Sequence, residues 1–171
     1  MKRVHNLLIA CCFIGVAGVA QADDDGLNYS DDHTLSCLGA GTHLAEYEAC
    51  IGVSANACME DTAGGFSTYG MGGCLSRELE FWDARLNRVY RSQMARAKQT
   101  DIDMDAGEGV PSQAKALRAM QRAWIPFRDA TCDYERSQWG GGTGGGPAAL
   151  SCLLTMTAKQ VFYLEHAGLG G

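Results

Sequence analysis

The sequence has only three prolines in 171 residues, and no segment alternates apolar and polar residues for long enough to make a strand. Few prolines leave long helices uninterrupted, and the missing period of two excludes a β-rich fold. There is no Walker motif, no Rossmann nucleotide-binding unit, no HExxH, no GxSxG and no CxxC, which removes the common signatures of nucleotide, zinc-protease, serine-hydrolase and dithiol chemistry. Basic residues are outnumbered, 14 Lys and Arg against 20 Asp and Glu, for a formal charge of −6. A chain of that sign repels phosphate backbones, so nucleic acid is excluded as a partner.

The first 22 residues have the pattern of a cleavable export signal. Lys2 and Arg3 precede a nearly apolar stretch from Leu7 to Ala20, and Ala20-Gln21-Ala22 is a small-x-small cleavage site. The apolar stretch is shorter than the ~20 residues that span a bilayer. Leu8-Ile9-Ala10-Cys11 is a rival lipoprotein box, but it leaves almost no apolar run before the cut and ranks below cleavage after Ala22. No later run is long enough to insert in a membrane, so the expected product is soluble and periplasmic. Loss of Lys2 and Arg3 takes its charge from −6 to −8, and loss of Cys11 and Cys12 takes its cysteines from eight to six.

Six cysteines in an exported chain imply three disulfides among 15 connectivities. Cys132 and Cys152 flank one glycine loop, and Cys58 and Cys74 flank another. Loop closure favours those two bridges and leaves Cys37–Cys50 by elimination. Cys50 and Cys58 are ~12 Å apart along one helix, too far to bridge.

Apolar spacing places helices at about His43–Asp61, Cys74–Gln99, Ser112–Trp139 and Pro147–Ala167. Residues 23–36 read as a flexible acidic lead-in, residues 37–171 as one helical domain, and Thr62–Gly73 and Gly140–Gly146 as glycine-rich loops. Ser112 is positioned to cap its helix, and Pro126 to kink it. The fold class is all-α: an antiparallel bundle of about four helices, stapled by disulfides.

Each chemical candidate has a plainer reading. Asp101-x-Asp103-x-Asp105 opens like a calcium loop, but Ala106 and Ser112 stand where glycine and a bidentate glutamate belong, so a solvated turn is expected. The cysteines and the three exported histidines lack zinc-ligand spacing, and no cofactor is implied. Glu78 and Glu80 are two apart on a helix and point to different faces, which reads as a charged outer surface rather than an acid–base pair. Gly140–Gly146 contains no positive side chain to hold an anion. Asp83, Asn87, Gln121, Arg128 and Asp129 lie near Trp82, Tyr90 and Trp124 on the apolar stripes. Buried polar groups must pair, so a structural network is expected: Arg128 to Asp83 or Asp129, with Asn87 and Gln121 bridging.

Two segments carry a resemblance. Cys74–Tyr90 (CLSRELEFWDARLNRVY) and Leu117–Cys132 (LRAMQRAWIPFRDATC), followed by Gly141-Gly142-Thr143, Cys152 and Thr157, resemble the signature of the lysozyme inhibitor LprI-like family over about Cys58 to Leu164. The matching residues include Trp82, Asp83, Asn87, Tyr90, Gln121, Trp124, Arg128 and Asp129. Pro126 and Gln160 depart from the pattern, where the family favours a helix former and a basic residue. The resemblance implies an exported helical domain without catalysis that inhibits c-type lysozyme. A chain near −8 would be steered to so basic a partner. The alternative is an envelope structural or adaptor module that binds another exported protein.

Overall fold

A computed structural model describes residues 26–104 and 109–166. The residues read above as an export signal and cleavage site, and Cys11, lie outside them. Among the described residues there are six helices and no strands: α1 (Asp32–Ala40), α2 (Leu44–Glu48), α3 (Val53–Asp61), α4 (Thr68–Asp103), α5 (Gln113–Ser137) and α6 (Gly145–His166). The all-α expectation holds, with three long helices and three short ones among the described residues.

The 36 residues of α4 form the axis of the molecule. Its stripe of Cys74, Glu78, Trp82, Leu86, Met94 and Ala97 is buried, mainly against α6. Trp82 meets Phe162 edge to face at 5.3 Å, and Gln93 donates to the Leu164 carbonyl at 2.7 Å. The two helices therefore run in the same direction, and α5 runs antiparallel to both along their side. Leu154, Val161, Phe162 and Leu164 fill the α6 side of the core. Burial of a side chain of this size contributes roughly 1.5–3 kcal/mol. Arg85 on α4 makes a two-pronged ion pair with Glu165 on α6, Nε to Oε1 at 3.0 Å and Nη2 to Oε2 at 3.2 Å.

The connections are shorter than the sequence suggests. Ser67 caps α4 through its hydroxyl, which accepts from the Gly70 amide at 3.0 Å. The expected loop at Thr62–Gly73 therefore shrinks to residues 62–67. The second glycine run likewise yields its last residues to α6, which starts at Gly145. Ser112 caps α5, as expected, by accepting from Lys115, a contact of the kind that contributes about 1 kcal/mol. Pro126 lies inside α5, which continues to Ser137.

Two expectations fail in the N-terminal third. Residues 26–36 are not a loose lead-in. Leu27 and Tyr29 pack against the core, and Thr34 on α1 is fully buried. Burial first, then the hydrogen bond that Tyr29 donates to Asp31 at 2.8 Å, raises the phenol above its ordinary pKa. The single helix expected over residues 43–61 is split into α2 and α3. Gly52 at the break has φ +89°, a left-handed conformation that glycine adopts at least cost. The break turns Cys50 onto Cys37 of α1. The other bridges are Cys58–Cys74, from α3 to α4, and Cys132–Cys152, from α5 to α6.

Candidate functional site

The most heavily bonded polar group is Glu78, which the sequence places on the outer surface and the structure buries completely. Its Oε1 accepts from the Gly52 amide at 2.8 Å, the Trp82 indole at 3.0 Å and the Thr34 hydroxyl at 3.2 Å. Its Oε2 accepts from the Ala55 amide at 2.7 Å. Gly52 and Ala55 are the cap and third residue of α3, a helix whose own cap has no side chain to offer. Glu78 thus caps α3 from another helix, where the helix dipole favours an acidic group. Thr34 and Ser54 join the junction by exchanging amide-to-hydroxyl bonds at 3.0 and 3.3 Å. Every donor is occupied with a structural partner, so Glu78 is not available for chemistry. Its signal was in the sequence: it stands four residues before Trp82 and eight before Leu86, on the buried stripe.

The signature residues divide between core and surface. Trp82 is buried, Tyr90 and Trp124 are partly buried and packed against the core. The expected network forms only in part: Arg128 pairs with Asp129, but Asn87 and Gln121 do not bridge to it. Arg128 bonds Asp129 through Nε and Nη2 at 2.9 and 2.8 Å, contacts the Thr157 hydroxyl at 3.4 Å and lies over the Trp124 ring at 5.0 Å. Asn87 donates to Asp83 at 2.9 Å within α4. Gln121 accepts from Gln160 at 3.0 Å, so the residue that departs from the family pattern still has an α5–α6 partner. Asp83, Asn87 and Asp129 are exposed, because they sit one position off the buried stripe rather than on it. Asp83, Asn87 and Arg128 instead line one open groove of about 500 Å³, together with Ser76, Glu80 and Leu153.

Asp101 is used structurally. It accepts from the Ser112 hydroxyl at 2.6 Å and from the Gln113 and Ala114 amides at 2.7 and 3.1 Å. The Ser112 hydroxyl, foremost, holds its carboxyl below the ordinary aspartate pKa. Asp105 lies outside the described residues, and no group of three His, Cys, Asp or Glu side chains fit to hold a metal occurs among those described. Arg136 of α5 lies beside the second glycine run, which shares a groove with Asp133. No described helix is long and apolar enough to cross a membrane.

The first glycine-rich loop forms the corner between α3 and α4, and its exposed aromatics are what the sequence did not mark. Phe66 and Tyr69 are 66 % and 78 % exposed, yet the backbone that carries them is tightly held. Gly65 donates to the Thr62 carbonyl and Ser67 to the Gly64 carbonyl, both at 2.9 Å. A Cβ on Gly65 would lie 2.2 Å from the Met59 carbonyl oxygen, and one on Gly70 would lie 2.5 Å from that of Gly64. Asn28 ties the N-terminal segment to the corner through Thr62 at 2.9 Å and the Asp61 carbonyl at 2.6 Å. The Cys58–Cys74 bridge closes its base.

Comparison with known proteins gives one family. The family model for lysozyme inhibitor LprI matches residues 58–164. An uncharacterised 17.7 kDa protein in the puhA 5′ region of Rhodobacter capsulatus is 29 % identical over 141 residues, 81 % of this chain and 86 % of its own. An uncharacterised protein of Rhizobium meliloti (strain 1021) is 30 % identical over 94 residues, 54 % of this chain and 68 % of its own. No solved structure matches this chain. The matched span runs from the Cys58–Cys74 bridge through the signature helices to the end of the α6 core, and the chain belongs to the lysozyme inhibitor LprI family.

Proposed function

We propose that this protein is exported to the periplasm and binds and inhibits a c-type lysozyme without catalysis of its own. The observation that carries the reading is the family match over residues 58–164. Charge supports it. The chain is acidic overall at −6, and c-type lysozymes are basic, so long-range attraction would speed their encounter. Three disulfides suit an oxidising compartment.

The test is a cell-wall lysis assay with c-type lysozyme, titrated with the oxidised protein and with the protein reduced and alkylated. Inhibition by the oxidised form, lost on reduction, supports the reading. Lysis unchanged by a micromolar excess of oxidised protein in low salt contradicts it.

A further inference from the structure

Charge is distributed unevenly along this chain. Residues 26–76 contain six acids, Asp31, Asp32, Glu46, Glu48, Glu60 and Asp61, and no Lys or Arg. All twelve Lys and Arg beyond the first three residues fall between Arg77 and Lys159. The corner between α3 and α4 belongs to the acidic part. Glu60 and Asp61 are exposed immediately before it, and Ala63, Gly64, Phe66, Ser67, Thr68 and Tyr69 are exposed along it.

A second pair of exposed aromatics makes a useful contrast. Phe127 and Tyr134 on α5 are 63 % and 66 % exposed, close to the values for Phe66 and Tyr69. Their helix carries Lys115, Arg118, Arg122, Arg128 and Arg136 against Asp129, Asp133 and Glu135. A basic partner is attracted to the α3–α4 corner and gains nothing from the charge of α5. The corner is also ordered before any partner arrives. Its turns are hydrogen-bonded, Gly65 is pressed against α3 and Gly70 against Gly64 and Gly65, and its base is closed by a disulfide. Holding the backbone that carries an aromatic side chain in place in the free protein removes part of the ordering cost of binding. Anchored aromatics of this kind dominate protein interfaces.

We infer that the corner Thr62–Tyr69 is the inhibitory element, entering the glycan cleft of a basic c-type lysozyme with Phe66 and Tyr69 as the inserted side chains. Glu60 and Asp61 face the basic rim of that cleft. This inference rests on the lysozyme reading above and adds the surface that performs it. It also places the contact away from the signature groove of Asp83, Asn87 and Arg128.

The experiment compares inhibition of c-type lysozyme by the full oxidised chain, by Phe66→Ser/Tyr69→Ser and by Phe127→Ser/Tyr134→Ser, each with a thermal melt followed by circular dichroism. The corner pair should weaken inhibition at least ~30-fold, the loss expected when an interface anchor is removed, with melting unchanged because both side chains are exposed. The α5 pair should change inhibition less than ~3-fold. Glu60→Lys/Asp61→Lys should slow association at low salt and lose most of that effect at high salt. An N-acetylglucosamine trimer that fills the lysozyme cleft should compete with the protein. Inhibition retained by the corner variant, or lost equally in the α5 variant, or no competition from the trimer, overturns the assignment while the lysozyme reading stands. If the unmodified protein does not inhibit at all, both fall together.

Discussion

Glu78 and Asp83 lie five residues apart on the same helix and have opposite fates. Glu78 is fully buried and accepts four hydrogen bonds, one from α1, two from the start of α3 and one from Trp82 on its own helix. Asp83 is exposed and bonds only its helical neighbour Asn87. Both are carboxylic acids beside Trp82, so composition does not separate them. Position on the 3.6-residue turn does. Residues 74, 78, 82 and 86 follow one another at intervals of four and form the buried stripe, while 83 and 87 run beside it. A carboxyl group on the first row must be satisfied by the fold. One on the second row is free to meet a partner or solvent.

The largest effect should come from breaking the buried member of the pair. Glu78→Ala strands the amides of Gly52 and Ala55, the Trp82 indole and the Thr34 hydroxyl, each at a cost of about 1–3 kcal/mol. Urea unfolding should show a loss of ~4 kcal/mol or more, and α3 should be the first segment to lose protection. Glu78→Gln keeps an acceptor at Oε1 but turns an amide donor toward the Ala55 N–H, so its loss should be smaller, about 2 kcal/mol. A Glu78→Ala protein as stable as the parent would mean that α3 does not depend on this cap.

The exposed side should yield far less. Arg128 has a half-exposed partner in Asp129 and a ring face in Trp124. The pair is therefore worth closer to the ~1 kcal/mol of a surface bridge than to the several kcal/mol of a buried one. Arg128→Ala should cost about 1 kcal/mol, and Asp83→Ala within ~0.5 kcal/mol. A loss above ~3 kcal/mol in either variant would return the groove to the structural category.

The smallest effect concerns Asp101, a half-buried cap whose role depends on charge. Its hydrogen bonds hold the folded carboxyl below the ordinary aspartate value. The folded state therefore keeps it charged where the unfolded chain is already protonated. Its contribution is complete above about pH 4 and is lost as pH falls through the lowered folded value. Asp101→Asn should flatten the acid limb of the stability–pH curve slightly and leave its slope at neutral pH unchanged. An unchanged acid limb would remove Asp101 from the cap.

Much of this fold was legible before the structure. The stripes of α4 and α6 predicted Trp82, Leu86, Leu154, Val161 and Leu164 in the core, because long helices repeat their signal over many turns. Loop closure for two pairs, and elimination for Cys37–Cys50, gave the same three disulfides that the structure contains. The N-terminal third was illegible for a physical reason. Helices α1 to α3 are only nine, five and nine residues long, too short for a periodic pattern, and their stability comes from tertiary contacts such as Glu78. The polar network was misread because a one-residue error in register moves a side chain from core to solvent. The aromatic corner gave no motif at all. Its exposure depends on where α4 begins, which the glycines of residues 64–73 obscured.

The central claim is that one buried carboxyl group joins α1, α3 and α4 into a single unit. Native-state hydrogen exchange tests it without altering a residue. The Gly52 and Ala55 amides and the Trp82 indole N–H all donate to Glu78. They should exchange only through global unfolding, with the same dependence on denaturant as the core of α4 and α6. Exchange of the two amides within minutes, while the α4 core stays protected, would show that α3 opens on its own and would contradict the account.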